Sequence, residues 1–189
     1  IYERLSTTLK TEFGLSEYSI YEVHPNKRQM QSLLFDGLTG ETCRWCDPQI
    51  QVRPEACRVA RTGHVVDGVS TPDICYSFRP PAEAGERRHV CFPVMQSGSV
   101  GSIVQLLTTP ERAACLSNKI PFVNVYLRET APVLETKRLM ESLRDSTLRD
   151  PMTGLHNRRF LEEYVETLVA SVQRKRVHAT IMMLDLDYF

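Results

Sequence analysis

Apolar side chains recur at steps of four over Ile1, Leu5, Leu9 and Phe13 and predict an amphipathic helix that Gly14 ends. Ser19 to Val23 alternates apolar and polar and predicts a strand. Pro25-Asn26-Lys27 supplies a turn, and Gln29 to Phe35 returns as the second strand of a hairpin. Residues 36–53 show no period and are expected to be irregular. Pro54 suits a helix start, with a short helix over Glu55 to Thr62 that Gly63 ends. His64 to Asp67 predicts a short strand. Residues 68–88, rich in Pro, Gly and charge, predict a loop long enough to suggest function. His89 to Met95 and Ser99 to Leu107 then predict two strong strands joined by a Ser-Gly-Ser turn, the central hairpin of a sheet.

A long helix is expected next. Val133, Thr136, Met140, Leu143 and Thr147 step by three and four, the spacing of a two-helix coiled-coil seam, although the stripe is short and two of its members are threonines. Packing of this stripe on its own domain is the alternative. Pro132 is expected to kink the helix where the first domain hands over to a connector.

The stretch Asp150-Pro-Met-Thr-Gly-Leu-His-Asn-Arg-Arg159 breaks that pattern. Pro151 disfavours helix at Asp150, Gly154 permits a tight turn, and Asn157 can cap a helix from Arg158 onward. Phe160, Leu161, Tyr164, Val165, Leu168 and Val172 give that helix an apolar face over roughly 158–174, and Arg174-Lys-Arg176 suits its C-terminus. Asp150, Arg158 and Arg159 read as structural, an ion pair bracing the turn. Ala179 to Leu184 is a continuous apolar run, as expected of a strand buried on both faces, and it ends in Asp185 and Asp187. Turn, helix, buried strand and terminal carboxylates make half of an α/β nucleotide site.

Composition narrows the classes. The chain has 189 residues, 42% of them hydrophobic and 24% charged, which describes an ordinary globular protein with one good core plus a fragment. Its formal net charge is zero and its sequence pI is near 7.1, so neither nucleic acid nor an anionic membrane is expected as a bulk partner. No apolar run reaches the ~20 residues of a membrane span. The opening Ile1-Tyr-Glu-Arg reads as neither a signal peptide nor a natural start, which suggests a piece of a longer protein.

D-x-M-T-G-L-x-N-R-R, then about 25 residues and L-D-L-D-x-F, resembles the opening of the GGDEF domain, the catalytic domain of diguanylate cyclases. The resemblance covers about residues 147–189. It implies a parent enzyme that condenses two GTP into cyclic di-GMP with Mg²⁺ or Mn²⁺. By the same resemblance Asp185 is the metal-ligating carboxylate and Leu186 the residue whose backbone carbonyl assists it. Asp187, Tyr188 and Phe189 match the loop whose backbone approaches the triphosphate. The family's signature turn, guanine-reading residues and second metal-binding acid fall beyond Phe189, so this chain alone is expected to be inactive. Upstream, the order of elements and the R-T-G-H-V run resemble a GAF domain over residues 1 to about 128. The implied fold class is mixed α/β (α+β): an antiparallel GAF-like sheet flanked by helices (1–128), a helical connector (129–149) and an α-β fragment of a GGDEF domain (150–189).

Six cysteines are many for an intracellular domain, and five lie between residues 43 and 91. Three readings of Cys43, Cys46, Cys57, Cys75 and Cys91 are open. They could hold zinc or an iron–sulfur cluster, with C-x2-C at 43–46 supplying two ligands and no second such pair present. Cys43 and Cys46 could be a redox pair. All could be inert, buried as small hydrophobes. Covalent haem is disfavoured, because Asp47 stands where C-x-x-C-H needs histidine. Cys91 shares a strand face with His89, while Val90, Phe92 and Val94 take the other, and either face could be the pocket side. Cys115 is assigned to packing, Trp45 to a lid over the core, His64 to solvent or a backbone cap, and Arg87-Arg88 to a solvated turn.

The function these features imply is a cytoplasmic sensor-effector. The GAF domain senses a small ligand, a metal or redox state, and a homodimeric connector sets how two GTP-loaded GGDEF sites face each other. A rival reading is a non-enzymatic regulator whose degenerate cyclase domain binds nucleotide or a partner. A third makes the GAF domain a purely structural dimerisation module.

Overall fold

A computed structural model describes residues 2–24, 28–35, 38–39, 45–176, 178, 180 and 182–184. In chain order these form α1 (Tyr2–Thr11), β1 (Tyr18–His24), β2 (Gln29–Phe35), β3 (Leu38–Thr39), α2 (Gln49–Val52), α3 (Arg58–Thr62), β4 (Val66–Asp67), β5 (Arg88–Gln96), β6 (Ser99–Thr108), α4 (Ala113–Leu148) and α5 (Arg158–Lys175). The chain divides into two compact units, Ile1–Thr136 and Lys137–Phe189.

In the first unit the described strands make one antiparallel sheet in the order β3-β2-β1-β6-β5-β4. Alternation along the strands decides what each face carries. Tyr18, Ile20, Val90, Phe92, Val94, Val104 and Leu106 point one way, onto Leu5 and Leu9 of α1 and Leu116, Val123, Leu127 and Leu134 of α4. Tyr21, Val23, Met30, Cys91 and Ile103 point the other way, beneath Ile50 of α2, Val59 of α3 and Val66 of β4. The face question is thereby answered: His89 and Cys91 lie under the middle segment, away from the long helices.

The strands predicted before residue 108 and the first helix form within a residue or two of their expected limits. The middle segment is more ordered than expected, because residues 36–53 contain β3 and α2. The single helix expected over Glu55 to Thr62 is a 3-10 turn at Pro54–Ala56 followed by α3. Cys57 between them is extended (φ −78°, ψ 122°), and both Cys57 and Val59 pack against the lower face. Gly63 ends α3 in the left-handed region, as expected.

At the tip of β5–β6, Ser97 and Gly98 both take positive φ, the backbone of a tight hairpin. Ser97 donates through its N–H (2.9 Å) and hydroxyl (2.7 Å) to Glu135 Oε1 of α4. Helix α4 is a single element of 36 residues through Pro121 and Pro132, so no break separates domain from connector. The expected connector, 129–149, is its C-terminal part. The stripe there is exposed: Val133 59%, Met140 65% and Leu143 65%.

In the second unit, α5 matches the predicted 158–174 helix; of the strand expected over Ala179 to Leu184, Ala179 and Ile181 lie outside the described residues. The described residues Thr180 and Met182 to Leu184 lie outside any helix or strand, with Met183 94% exposed. A strand buried on both faces exists only between neighbouring strands, and none is found among the described residues of this unit.

Leu127 is 1% exposed in the upper core. Leu127→Ala should cost about 2–5 kcal/mol, read as a lowered urea midpoint at unchanged slope.

Candidate functional site

The lower face of the sheet carries polar groups where an apolar core would be simplest. Strand register sets Ser19, Gln105 and Cys91 side by side across β1, β6 and β5. All three are buried, at 1%, 0% and 7% exposure. Gln105 is committed at both ends: its Oε1 accepts from the Tyr21 hydroxyl (3.1 Å) and its Nε2 donates to Cys46 Sγ (3.4 Å). His89 stands two residues before Cys91, is 1% exposed, and stacks on Phe78 at 4.0 Å between ring centroids. Trp45, buried at 3%, belongs to the covering segment, where an isolated bridge joins Cys46 to Phe78.

Within this face, Ser19 Oγ and both ring nitrogens of His89 are buried with no hydrogen-bond partner. Leaving such groups unmet costs about 1–3 kcal/mol each. Burial pushes the His89 imidazole down to about 4, against the pull of the Asp67 carboxylate. The ring is therefore neutral at physiological pH, with one nitrogen a donor and the other an acceptor. Burial raises the pKa of Asp67, but the hydroxyl and N–H of Ser70, the N–H of Val69 and the nearby His89 together hold it below the usual carboxylate range. The turn so formed (Val69 N–H 2.9 Å, Ser70 N–H 3.0 Å, Ser70 hydroxyl 2.6 Å) lays Gly68 against the His89 ring. A Cβ at Gly68 would sit 2.5 Å from His89 Cε1, so only glycine fits.

Cys46, Cys57, Cys75 and Cys91 all pack into this lower core. Among the described residues no three His, Cys, Asp or Glu side chains converge on a metal-sized site. Cys43 lies outside the described residues. Cys115, expected in packing, is exposed. Trp45 is buried, and His64 is exposed with its Nδ1 2.6 Å from the Thr62 carbonyl oxygen. Arg87 and Arg88 are not a solvated turn: both are half-buried, and they pair with Glu17 (3.2 Å) and Glu86 (2.8 Å).

The expected polar site rested on cysteines, and the sequence reading missed Ser19, Tyr21, Gln105 and Phe78. One signal was available. Gln105 interrupts the run Ile103-Val-Gln-Leu-Leu107, and a polar residue in so apolar a strand needs a partner.

In the second unit, the motif around Gly154 builds a closed turn. Asp150 N–H donates to Leu155 O (2.8 Å), Gly154 N–H to Asp150 O (2.9 Å) and Asn157 N–H to Leu148 O (2.9 Å). The Asp150 carboxylate accepts from the N–H groups of Met152 and Thr153 and from the Thr153 hydroxyl. The Thr153 N–H, then its hydroxyl, hold that carboxyl below its ordinary range. Asn157 caps α5 by accepting from Phe160 N–H (3.1 Å) and ties back by donating to Thr147 O (2.8 Å). The expected ion pair across the turn is absent among the described contacts. Arg158 and Arg159 pair along α5 with Glu162 and Glu163, while Asp150 is used by backbone. The expected nucleotide-site residues, Asp185, Leu186, Asp187, Tyr188 and Phe189, lie outside the described residues.

The architecture of the first unit is that of a GAF domain. The GAF domain of a phosphoenolpyruvate-protein phosphotransferase from Coxiella burnetii aligns with a TM-score of 0.50 at 10% identity, over 74% of this chain and 83% of that one. The GAF domain of the corresponding Acinetobacter protein (TM-score 0.41, 15% identity, 68% and 81% covered) and a GAF domain/HD domain protein from Geobacter sulfurreducens (0.48, 11%, 73% and 92%) are also similar. Residues 147–189 match the family "Diguanylate cyclase, GGDEF domain". The chain thus carries a GAF-like fold followed by the opening of a GGDEF domain. No curated protein matches it.

The depressed His89 pKa has a pH consequence. Unfolded histidine takes up a proton below about 6.5, whereas the folded ring resists until about 4. His89 therefore adds no penalty above pH 6.5, and stability should fall by on the order of 3 kcal/mol as pH drops from 6.5 to about 4. Urea midpoints across that window should show the loss, and His89→Phe should flatten it.

Proposed function

We propose that this chain is the sensory and connecting portion of a diguanylate cyclase. In this reading the GAF-fold unit takes a small ligand on the sheet face that holds Ser19, His89 and Gln105. Helix α4 carries the response onward, and a GGDEF domain condenses two GTP into cyclic di-GMP. The observation that carries the proposal is the run of one helix between the two parts. Helix α4 begins at Ala113 in the GAF-fold unit, and its last two residues, Thr147 and Leu148, lie inside the matched residues 147–189.

Condensation needs two GTP-loaded sites face to face, so pairing of copies is part of the reaction geometry. The exposed stripe Val133, Met140 and Leu143 supplies a seam for a second α4 in a parallel homodimer. The protein would work in the cytoplasm, and no helix among the described residues is long and apolar enough to cross a membrane. Asp185 and Asp187 are hard oxygen donors of the kind Mg²⁺ and Mn²⁺ take, with phosphate oxygens completing the shell. The metal, when bound with GTP, would neutralise phosphate charge. Asp185 and the Leu186 carbonyl would hold it, and the backbone of Asp187, Tyr188 and Phe189 would lie along the triphosphate. The chain alone, without a signature turn, is expected to be inactive.

Two measurements test this. The full-length protein given GTP and Mg²⁺ should form cyclic di-GMP, and Asp185→Ala should lower the rate by at least roughly 100-fold. Binding of GTP without turnover would instead favour the non-enzymatic regulator. Light scattering should find a dimer that Met140→Lys with Leu143→Lys converts to monomer with the fold intact. A wild-type monomer would remove the connector from the proposal.

A further inference from the structure

The β5–β6 hairpin turns on a residue that the turn itself disfavours. Ser97 (φ 47°) and Gly98 (φ 78°) are the two central residues between the paired Gln96 and Ser99. Positive φ at both is the arrangement of a type I′ turn, which favours Asn or Gly at the first position. A serine held in the left-handed region gives up roughly 1–2 kcal/mol. That backbone presents two donors to one acceptor: the Ser97 N–H (2.9 Å) and hydroxyl (2.7 Å) both reach Glu135 Oε1 of α4. Because both donors meet a single oxygen, a displacement that opens one bond opens the other.

The stem below the tip is stiff. Gln96 is buried, its Nε2 donates to the Ser102 hydroxyl (3.4 Å), and its side chain lies over Gly101, where a Cβ would stand 2.2 Å from Gln96 Oε1. Ser102 is fully buried and shares a hydrogen bond with the Tyr2 hydroxyl of α1 (2.7 Å). The tip therefore moves with β5 and β6 rather than by itself.

Helix α4 is weakest close to Glu135. Pro132 has no N–H to give the Arg128 carbonyl, and a proline inside a helix costs about 3 kcal/mol. The Thr130 hydroxyl donates to the carbonyls of Tyr126 (2.8 Å) and Leu127 (3.1 Å), and the Thr136 hydroxyl to that of Pro132 (2.8 Å). Back-bonds of this kind bend helices. Leu134 is the last α4 side chain described in the upper core, whereas Val133, Leu139 and Met140 are exposed. The helix thus leaves its packing next to the turn that proline softens, and Glu135 fastens it to the sheet there.

We infer that Ser97 and Glu135 form a latch that fixes the exit turn of α4 to the β5–β6 hairpin, and that its opening frees residues 133–140 while the earlier turns stay packed. Such a latch operates whatever the chain senses or drives.

The test is hydrogen exchange, read by mass spectrometry, on the 189-residue chain carrying Met140→Lys and Leu143→Lys, so that no second copy protects the stripe. In that background Glu135→Ala should speed exchange in peptides covering residues 133–140 about tenfold, with α1 and residues 116–127 unchanged. Glu135→Gln keeps an acceptor oxygen and should restore most of the protection. Ser97→Gly relieves the turn and keeps the N–H bond; it should speed the same peptides about threefold without lowering Tm. Equal exchange with and without Glu135→Ala overturns the latch. So does a rise of the same size in α1, residues 116–127 and residues 133–140, which marks a unit loosened as a whole.

Discussion

The two-residue period of β5 and β6 is the constraint on which the GAF-fold unit depends. It sends Val90, Phe92, Val94, Val104 and Leu106 into the helices and leaves His89, Cys91 and Gln105 for the opposite side. A one-residue slip would bury the polar set against α1 and α4, so register is held by the whole upper core. The same hairpin ends at Ser97, whose two hydrogen bonds reach Glu135, one residue before the first compact unit closes. Strands that bear the polar row are thus tied at their tip to the helix that leaves the domain. A change at Cys91 or Gln105 has a physical route to α4 that needs no other element.

The polar row costs the folded state stability. Native cores seldom keep an unmet hydroxyl and an unmet imidazole side by side with apolar groups. Here the surroundings enforce it. Gly68, pinned by the Asp67 turn, closes on one edge of the imidazole, and Phe78 covers its face. Gln105, held by Tyr21 and Cys46, fixes the row's centre. A ligand on this face would meet groups already oriented, which lowers the entropy lost on binding.

The motif around residue 150 has a different character. Its side chains serve the turn: Asp150 gathers the N–H groups of Met152 and Thr153, Gly154 supplies a positive φ of 70°, and Asn157 caps one helix while holding the end of another. An ion pair from Asp150 to the following arginines looked natural in sequence, but a carboxylate in a tight turn finds backbone donors first. Such a turn fixes where α5 starts, which is a reason for its residues to form a recognisable signature without touching substrate.

Much of this was legible from residue order. Helices and strands announced themselves wherever a period ran for five residues or more, as at Leu5–Leu9, Ser19–Val23 and Val100–Leu107, because local burial and local periodicity coincide there. Asn157 and Gly63 were readable as caps for the same reason: their role is decided within four residues. What the chain order could not settle was contact between distant segments. Which face of β5 met the helices, which polar side chains shared a row, and whether Met182 to Leu184 found neighbours all depend on strands far apart in sequence. Sequence alone thus determined the elements and the family likeness at residues 147–189. Only tertiary structure decided that Ser19, Gln105, Cys91 and His89 share one buried face, because strand pairing, which no local pattern encodes, brings residues 19, 89 and 105 together.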